Sequence, residues 1–212
     1  KPCGNGRYIV TEEFECEVCP VGAVCNCQED PNNPGIIACE LQKNKILVNA
    51  EEEGWIGAWR ADQESGVYVL ESCPPGSELI KYTTDDKGAS VFNPSIQECR
   101  RCASGEEYVL NPNMYVAANG ETVYHSCQVC PTGARCKDGL FQKGEVPGSI
   151  WKASNEEGIM KLEHCPDGYE RVTRTALGEF DHDKQQCKRC VGGENGMFIV
   201  DPNHGVCKNC PK

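Results

Sequence analysis

Large apolar side chains are scarce in this chain. Aromatic residues make up 7% of its 212 residues, and mean hydropathy is −0.53. Such a composition buries little core for its length. The longest apolar runs, such as Met114-Tyr-Val-Ala-Ala118, are far too short to span a bilayer, so no membrane insertion is expected of this segment. Basic residues are outnumbered, 21 against 32 acidic ones, for a net charge of −11 and an isoelectric point near 4.9. Nucleic acid is therefore excluded as a partner, because a phosphate backbone needs a basic face. No stretch keeps helical periodicity over three turns. No Asn-x-Ser/Thr acceptor exists, since Asn93-Pro94-Ser95 carries proline in the middle, and N-linked glycan is not expected.

What the chain has is cysteine, 17 in all, with 22 glycines and 13 prolines. At about 8% cysteine a disulfide scaffold is expected, with cross-links substituting for core. That chemistry belongs to an oxidising compartment, so the location expected is extracellular or at the cell surface.

The cysteines recur in a fixed order. Cys16-x-x-Cys19-Pro-x-Gly-Ala-x-Cys25 returns as Cys127-x-x-Cys130-Pro-x-Gly-Ala-x-Cys136. The run from Trp59 through Gly66, Leu70 and Cys73 to Gly76 returns, ungapped, from Trp151 through Gly158, Leu162 and Cys165 to Gly168. Phe92…Gln97-Glu-Cys99-Arg-Arg-Cys102 returns as Phe180…Gln185-Gln-Cys187-Lys-Arg-Cys190. An opening segment occurs three times, as Cys3…Tyr8-Ile-Val, Cys102…Tyr108-Val-Leu and Cys190…Phe198-Ile-Val. The boundaries that follow are repeat 1 over 1–101, with an extra loop over 27–39, repeat 2 over 102–189, and the start of an incomplete third repeat over 190–212. The expectation is either a piece of a longer tandem array or a chain whose missing cysteine a neighbouring molecule supplies.

Locally the pattern is β. Gly66-Val-Tyr-Val-Leu70 and Glu78-Leu-Ile-Lys-Tyr-Thr83 flank the turn signature Cys-Pro-Pro-Gly, which predicts a hairpin between them, and Met160-Lys-Leu162 with Tyr169-Glu-Arg-Val-Thr173 predicts its copy. The fold class expected is small, disulfide-rich and mainly β: an elongated tandem repeat of short hairpins with little hydrophobic core. The Gly-Ala of Cys-Pro-x-Gly-Ala suits a tight bend with room for no side chain or a small one. Trp59 and Trp151 are the expected packing anchors of their repeats. Trp55 has no counterpart and is free to be exposed.

Repetition also sorts the cysteines. The opening pairs expected are Cys3–Cys16, Cys102–Cys127 and Cys190–Cys207. Cys27 and Cys39 occur in repeat 1 alone and are expected to staple its extra loop. Each repeat keeps four more, Cys19, Cys25, Cys73 and Cys99, then Cys130, Cys136, Cys165 and Cys187. Four cysteines allow three connectivities. Cys210 is left unpaired or intermolecular.

At Cys99-x-x-Cys102-x-x-Gly-x-x-Tyr108…Cys127-x-x-Cys130 the chain resembles the cysteine-rich repeats of tumour-necrosis-factor receptors and ephrin-receptor-like modules. The Trp59–Gly76 pattern resembles arrays in large surface proteins of algae and other protists. The receptor resemblance implies alternate pairing: Cys19–Cys73 with Cys25–Cys99, and Cys130–Cys165 with Cys136–Cys187. It also implies a non-enzymatic rod of stacked modules that binds proteins or builds extracellular structure.

Other chemistries compete poorly. Five Cys-x-x-Cys pairs have zinc-knuckle spacing, but zinc leaves the recurring Cys73 and Cys165 idle. His125, His164, His182 and His204 occupy non-equivalent places and suggest no catalytic site. Glu51-Glu-Glu53, Asp85-Asp86 and Asp181-His-Asp183 match no EF-hand and are expected as solvated loops, with calcium the alternative. No cofactor is expected. The function expected is a structural extracellular protein whose modules stack head to tail into a filament, surface hair or matrix. Its partners would be copies of itself or adjacent repeat modules. The alternative is a receptor-like ectodomain binding a protein ligand, marked by an exposed cluster such as Trp55, Trp59 and Arg60.

Overall fold

With no sequence stretch able to keep one apolar face at helical spacing, the backbone satisfies its hydrogen bonds across short strands instead. The structure is a computed structural model and describes residues 3, 6–10, 15–35, 37–190, 197–198 and 207–209. No helix occurs among the described residues, and so none long and apolar enough to cross a membrane. The chain divides into two compact units, Lys1–Arg101 and Cys102–Lys212.

In the first unit the strands are β1 (Arg7–Tyr8), β2 (Glu17–Val18), β3 (Ala23–Glu29), β4 (Ile37–Val48), β5 (Glu51–Gly54), β6 (Trp59–Asp62), β7 (Val67–Leu70), β8 (Ser77–Ile80), β9 (Tyr82–Thr84), β10 (Ser90–Phe92) and β11 (Glu98–Arg101). One sheet runs β3-β4-β11-β8, with β5 also on β4; the others are two-stranded ribbons, β1–β2, β6–β7 and β9–β10. Tyr8, Leu41, Ile46, Val48, Trp59, Tyr68 and Leu70 bury against one another beside Cys73 and Cys99.

Among the described residues the second unit consists of ribbons only. Its strands are β12 (Glu107–Tyr108), β13 (Met114–Val116), β14 (Thr122–Tyr124), β15 (Gln128–Val129), β16 (Ala134–Lys137), β17 (Leu140–Gly144), β18 (Ile150–Ser154), β19 (Ile159–His164), β20 (Tyr169–Val172), β21 (Gln186–Arg189), β22 (Met197–Phe198) and β23 (Lys208–Asn209). They pair β12–β15, β13–β14, β16–β17, β18–β19, β20–β21 and β22–β23. Its buried cluster is smaller: Leu162, Cys165 and Cys187, with Val146, Trp151 and Tyr169 packed against it.

The hairpin expected around Cys-Pro-Pro-Gly is not formed. β7 pairs with β6, Trp59 opposite Leu70, and β8 pairs with β11, Cys99 opposite Leu79. The run Glu78–Thr83 is split at Lys81, whose side chain is buried; its first part joins the sheet through β8 and its second enters the β9–β10 ribbon. Burial draws the Lys81 ammonium below its ordinary pKa, against the opposing pull of Glu71. The second unit repeats the arrangement, with β19 on β18 and β20 on β21. Cys-Pro-x-Gly therefore joins two hairpins and does not turn either one.

The ribbon after each Cys-Pro-x-Gly shows how the units differ in length. In unit 1 the Asn93 N–H donates to Lys81 O, and the turn closes with the Asp85 N–H on Ala89 O. In unit 2 the same bonds run from Asp181 to Thr173 and from Thr175 to Glu179. Each arm is thus two residues shorter, so the pairing and the faces are both preserved.

Candidate functional site

Two buried side chains tie each unit together, and both act on the strand that follows the recurring tryptophan, Trp59 or Trp151. The Tyr8 hydroxyl accepts from the Tyr68 N–H (2.9 Å) in unit 1, and the Tyr108 hydroxyl from the Met160 N–H (2.7 Å) in unit 2. Gln97 Oε1 accepts from the Leu70 N–H (2.8 Å), while its Nε2 donates to Tyr68 O (2.8 Å) and Pro94 O (3.0 Å). Gln185 does the same with the Leu162 N–H (2.8 Å), Met160 O (2.9 Å) and His182 O (3.2 Å). Both glutamines are 0% exposed. The outer edges of β7 and β19, left over by their own hairpins, thereby gain partners from tyrosine and glutamine side chains. A buried polar group left unmatched would cost about 1–3 kcal/mol, so the arrangement is stringent.

A third contact is steric. The Gly22 N–H donates to Gln97 O and the Gly133 N–H to Gln185 O, each at 2.8 Å. A Cβ on Gly22 would sit 2.6 Å from the Glu98 Cα, and one on Gly133 would sit 2.5 Å from the Gln186 Cα. Neither glycine lies in the left-handed region. The bend expected there is formed, with the Ala23 N–H on Pro20 O and the Ala134 N–H on Pro131 O, and what excludes a side chain is the close approach of a second backbone.

Sixteen cysteines form eight disulfides. Cys3–Cys16, Cys27–Cys39, Cys102–Cys127 and Cys190–Cys207 close the opening segments and the extra loop. The alternate pairings implied by the receptor resemblance are not made. In place of Cys19–Cys73 and Cys25–Cys99 the chain forms Cys19–Cys25 and Cys73–Cys99. In place of Cys130–Cys165 and Cys136–Cys187 it forms Cys130–Cys136 and Cys165–Cys187. The reason is local: Cys19 and Cys25 flank the turn at Pro20–Ala23, while β8 carries the chain from Cys73 back beside Cys99 on β11. Cys210 lies outside the described residues.

The other predicted residues fall into place individually. Trp59 is 4% exposed, its indole N–H donating to Lys45 O, while Trp151 is half-buried and donates to Ser149 Oγ. Trp55 is not free: it packs on the unit 1 core and donates to Ser72 Oγ (3.0 Å). Arg60 pairs with Glu71. Trp55, Trp59 and Arg60 therefore form no exposed binding cluster.

Every described Cys-x-x-Cys is divided between two disulfides, so these sulfurs are not thiolate ligands. Cys102, Glu107 and Cys127 bring three ligand-type atoms together, but the two sulfurs are bonded to each other and Glu107 accepts from the Ala103 N–H. The acidic stretches serve locally. Glu52 pairs with Lys45 and Glu53 with Arg101, while Asp85 accepts from the Lys87 and Ala89 N–H groups. The Lys184 ammonium beside Asp181 holds that carboxyl below its usual range. His125 stacks on Tyr115, with ring centroids 5.4 Å apart, and burial lowers its pKa. His204 lies outside the described residues.

Tyr8, Tyr108, Gln97 and Gln185 recur in the repeat, but nothing in the sequence around them assigns their side chains a partner. The available signal was positional: each glutamine stands two residues before a half-cystine of β11 or β21. The class defined here is a disulfide-rich, mainly β chain of cysteine-rich modules. No family model, curated protein or solved structure matches it.

Proposed function

We propose that this chain is a non-enzymatic structural module of an extracellular assembly, stacked with copies of itself or with like modules. The observation that carries this reading is the rebuilding of one interlock, tyrosine, glutamine and glycine, at equivalent positions of both units. A third opening ribbon, β22–β23, follows, and the Cys207 N–H donates to the Glu170 carboxylate of β20 (3.0 Å). Modules with small individual cores gain from burying faces against neighbours, and head-to-tail contacts propagate into open assemblies. Eight disulfides suit an oxidising, secreted setting. The histidines His125 and His182 are engaged in packing, which favours a scaffold over a catalyst. No cofactor is proposed.

Sedimentation and negative-stain microscopy of the purified chain across a concentration series test the reading. The expected result is an open-ended ladder of species that lengthens with concentration. Monomers at every concentration would sink it. A second reading, a receptor-like ectodomain, draws on the ribbon β9–β10, where Tyr82 and Phe92 meet edge to face while 51% and 37% exposed. It gains ground if the chain stays monomeric.

A further inference from the structure

The two interlocks differ at one residue that can titrate. Where unit 1 has Pro94, unit 2 has His182, and both supply the carbonyl that receives the glutamine amide. The imidazole is wedged between two elements. Its Nε2 lies 3.1 Å from Val129 O and 3.4 Å from the Tyr108 hydroxyl, and its Nδ1 lies 3.1 Å from Gln185 Nε2. A carbonyl can only accept, so Nε2 carries the hydrogen and donates to Val129 O. An amide nitrogen can only donate, so Nδ1 must be bare and accept from Gln185. One neutral tautomer meets both demands.

Gln185 cannot turn over to suit a protonated ring. Its Oε1 is committed to the Leu162 N–H at 2.8 Å and its Nε2 to Met160 O at 2.9 Å. A flip would set like against like at both β19 groups. A second proton on His182 would therefore place an N–H at Nδ1 directly against the Gln185 amide hydrogens.

We propose that His182 makes the anchorage of β19 sensitive to mild acid, its protonation dislodging the Gln185 amide, while the equivalent anchorage of β7 beside Pro94 is insensitive. The charged and titratable groups facing the ring are few. Asp181 and Asp183 flank it in the same turn, Asp181 already paired with Lys184 at 2.9 Å, and Tyr108 approaches from β12. β15 presents the Val129 carbonyl to it, and β19 is reached through Gln185, whose amide also holds the Met160 carbonyl. Burial favours the neutral ring, against the pull of the Val129 carbonyl, Asp183 and Asp181. Once protonated, the ring is drawn by the two aspartates out of its slot, leaving Gln185 on that side with the His182 carbonyl alone and an imidazolium N–H pressed against its amide.

Hydrogen exchange measured on the intact, disulfide-bonded chain reads both anchorages in one sample. Between pH 7.5 and pH 5, after correction for intrinsic rates, protection over Ile159–His164 is expected to fall by about three- to tenfold, with protection over Val67–Leu70 unchanged. Two variants follow. In His182→Pro the fall should vanish. In Gln185→Glu its direction should reverse, because a carboxylate accepts from an imidazolium at low pH. Equal behaviour of the two segments in the wild-type chain overturns the proposal whether or not either variant folds. Assembly plays no part in this readout, so its outcome is independent of the stacking reading.

Discussion

A tyrosine hydroxyl usually ends a side chain at solvent; Tyr8 and Tyr108 end theirs on a backbone N–H. Periodicity shows that a tyrosine in a short strand faces inward, and nothing in it shows what the oxygen meets. Gln97 and Gln185 were equally silent, since a buried glutamine and an exposed one look alike until the facing strand is in place. The glycines of Cys-Pro-x-Gly-Ala were legible as positions without side chains, and the cause proved to be a neighbouring backbone. Burial pushes the Tyr108 pKa up to about 12, partly offset by the Met160 N–H that stabilises the phenolate. The folded value lies above the unfolded value of about 10. Its contribution is therefore fully present below pH ~10 and is lost as pH rises from there toward 12. Tyr108→Phe should cost about 1–2 kcal/mol at pH 8 by leaving the Met160 N–H unpaired. That deficit should narrow in denaturant titrations at pH 11 and above. A deficit that stays constant with pH would mean that the hydroxyl is not buried in this bond.

Strands were easier to read than their partners. Val67–Leu70 and Tyr169–Val172 lie where β-branched and aromatic residues cluster, but the turn signal between neighbouring strands pointed to the wrong pairing. Cys-Pro-Pro-Gly reverses the chain, and the strands that leave it pair elsewhere because Trp59 supplies one partner and Cys99 the other. The ribbon β9–β10 obeys a stricter rule: unit 2 has the same element with two residues fewer in each arm. Removing Thr83, Thr84, Ser90 and Val91 from unit 1 should therefore change stability by no more than about 0.5 kcal/mol, as expected of exposed positions. Removing Thr83 alone leaves an odd residue opposite and turns side chains to the wrong face, at a cost of about 1 kcal/mol or more. Chemical denaturation of the two deletions checks this, and equal losses would show that register there is unimportant.

For the molecule as a whole, the opening disulfides were legible because three copies of one segment align. The four-cysteine sets were not, because spacing alone leaves three connectivities open and side-by-side closure depends on which strands pair. The outcome is a covalent path with a regular form. Cys16 and Cys19, Cys99 and Cys102, Cys127 and Cys130, and Cys187 and Cys190 each hand over from one closed loop to the next. A chain pulled by its ends cannot lengthen inside a closed loop. Extension is then confined almost wholly to two stretches, Cys39 to Cys73 and Cys136 to Cys165, the ones that contain the tryptophan hairpins. At full extension of about 3.5 Å per residue these span at most roughly 120 Å and 100 Å. Optical-tweezer traces of the oxidised chain should show two steps, each somewhat shorter than its span, and little else, and a single long extension would refute the path. The tyrosine and glutamine clasps sit on those two stretches, which makes them the catches of an extensible tether whose travel the disulfides limit.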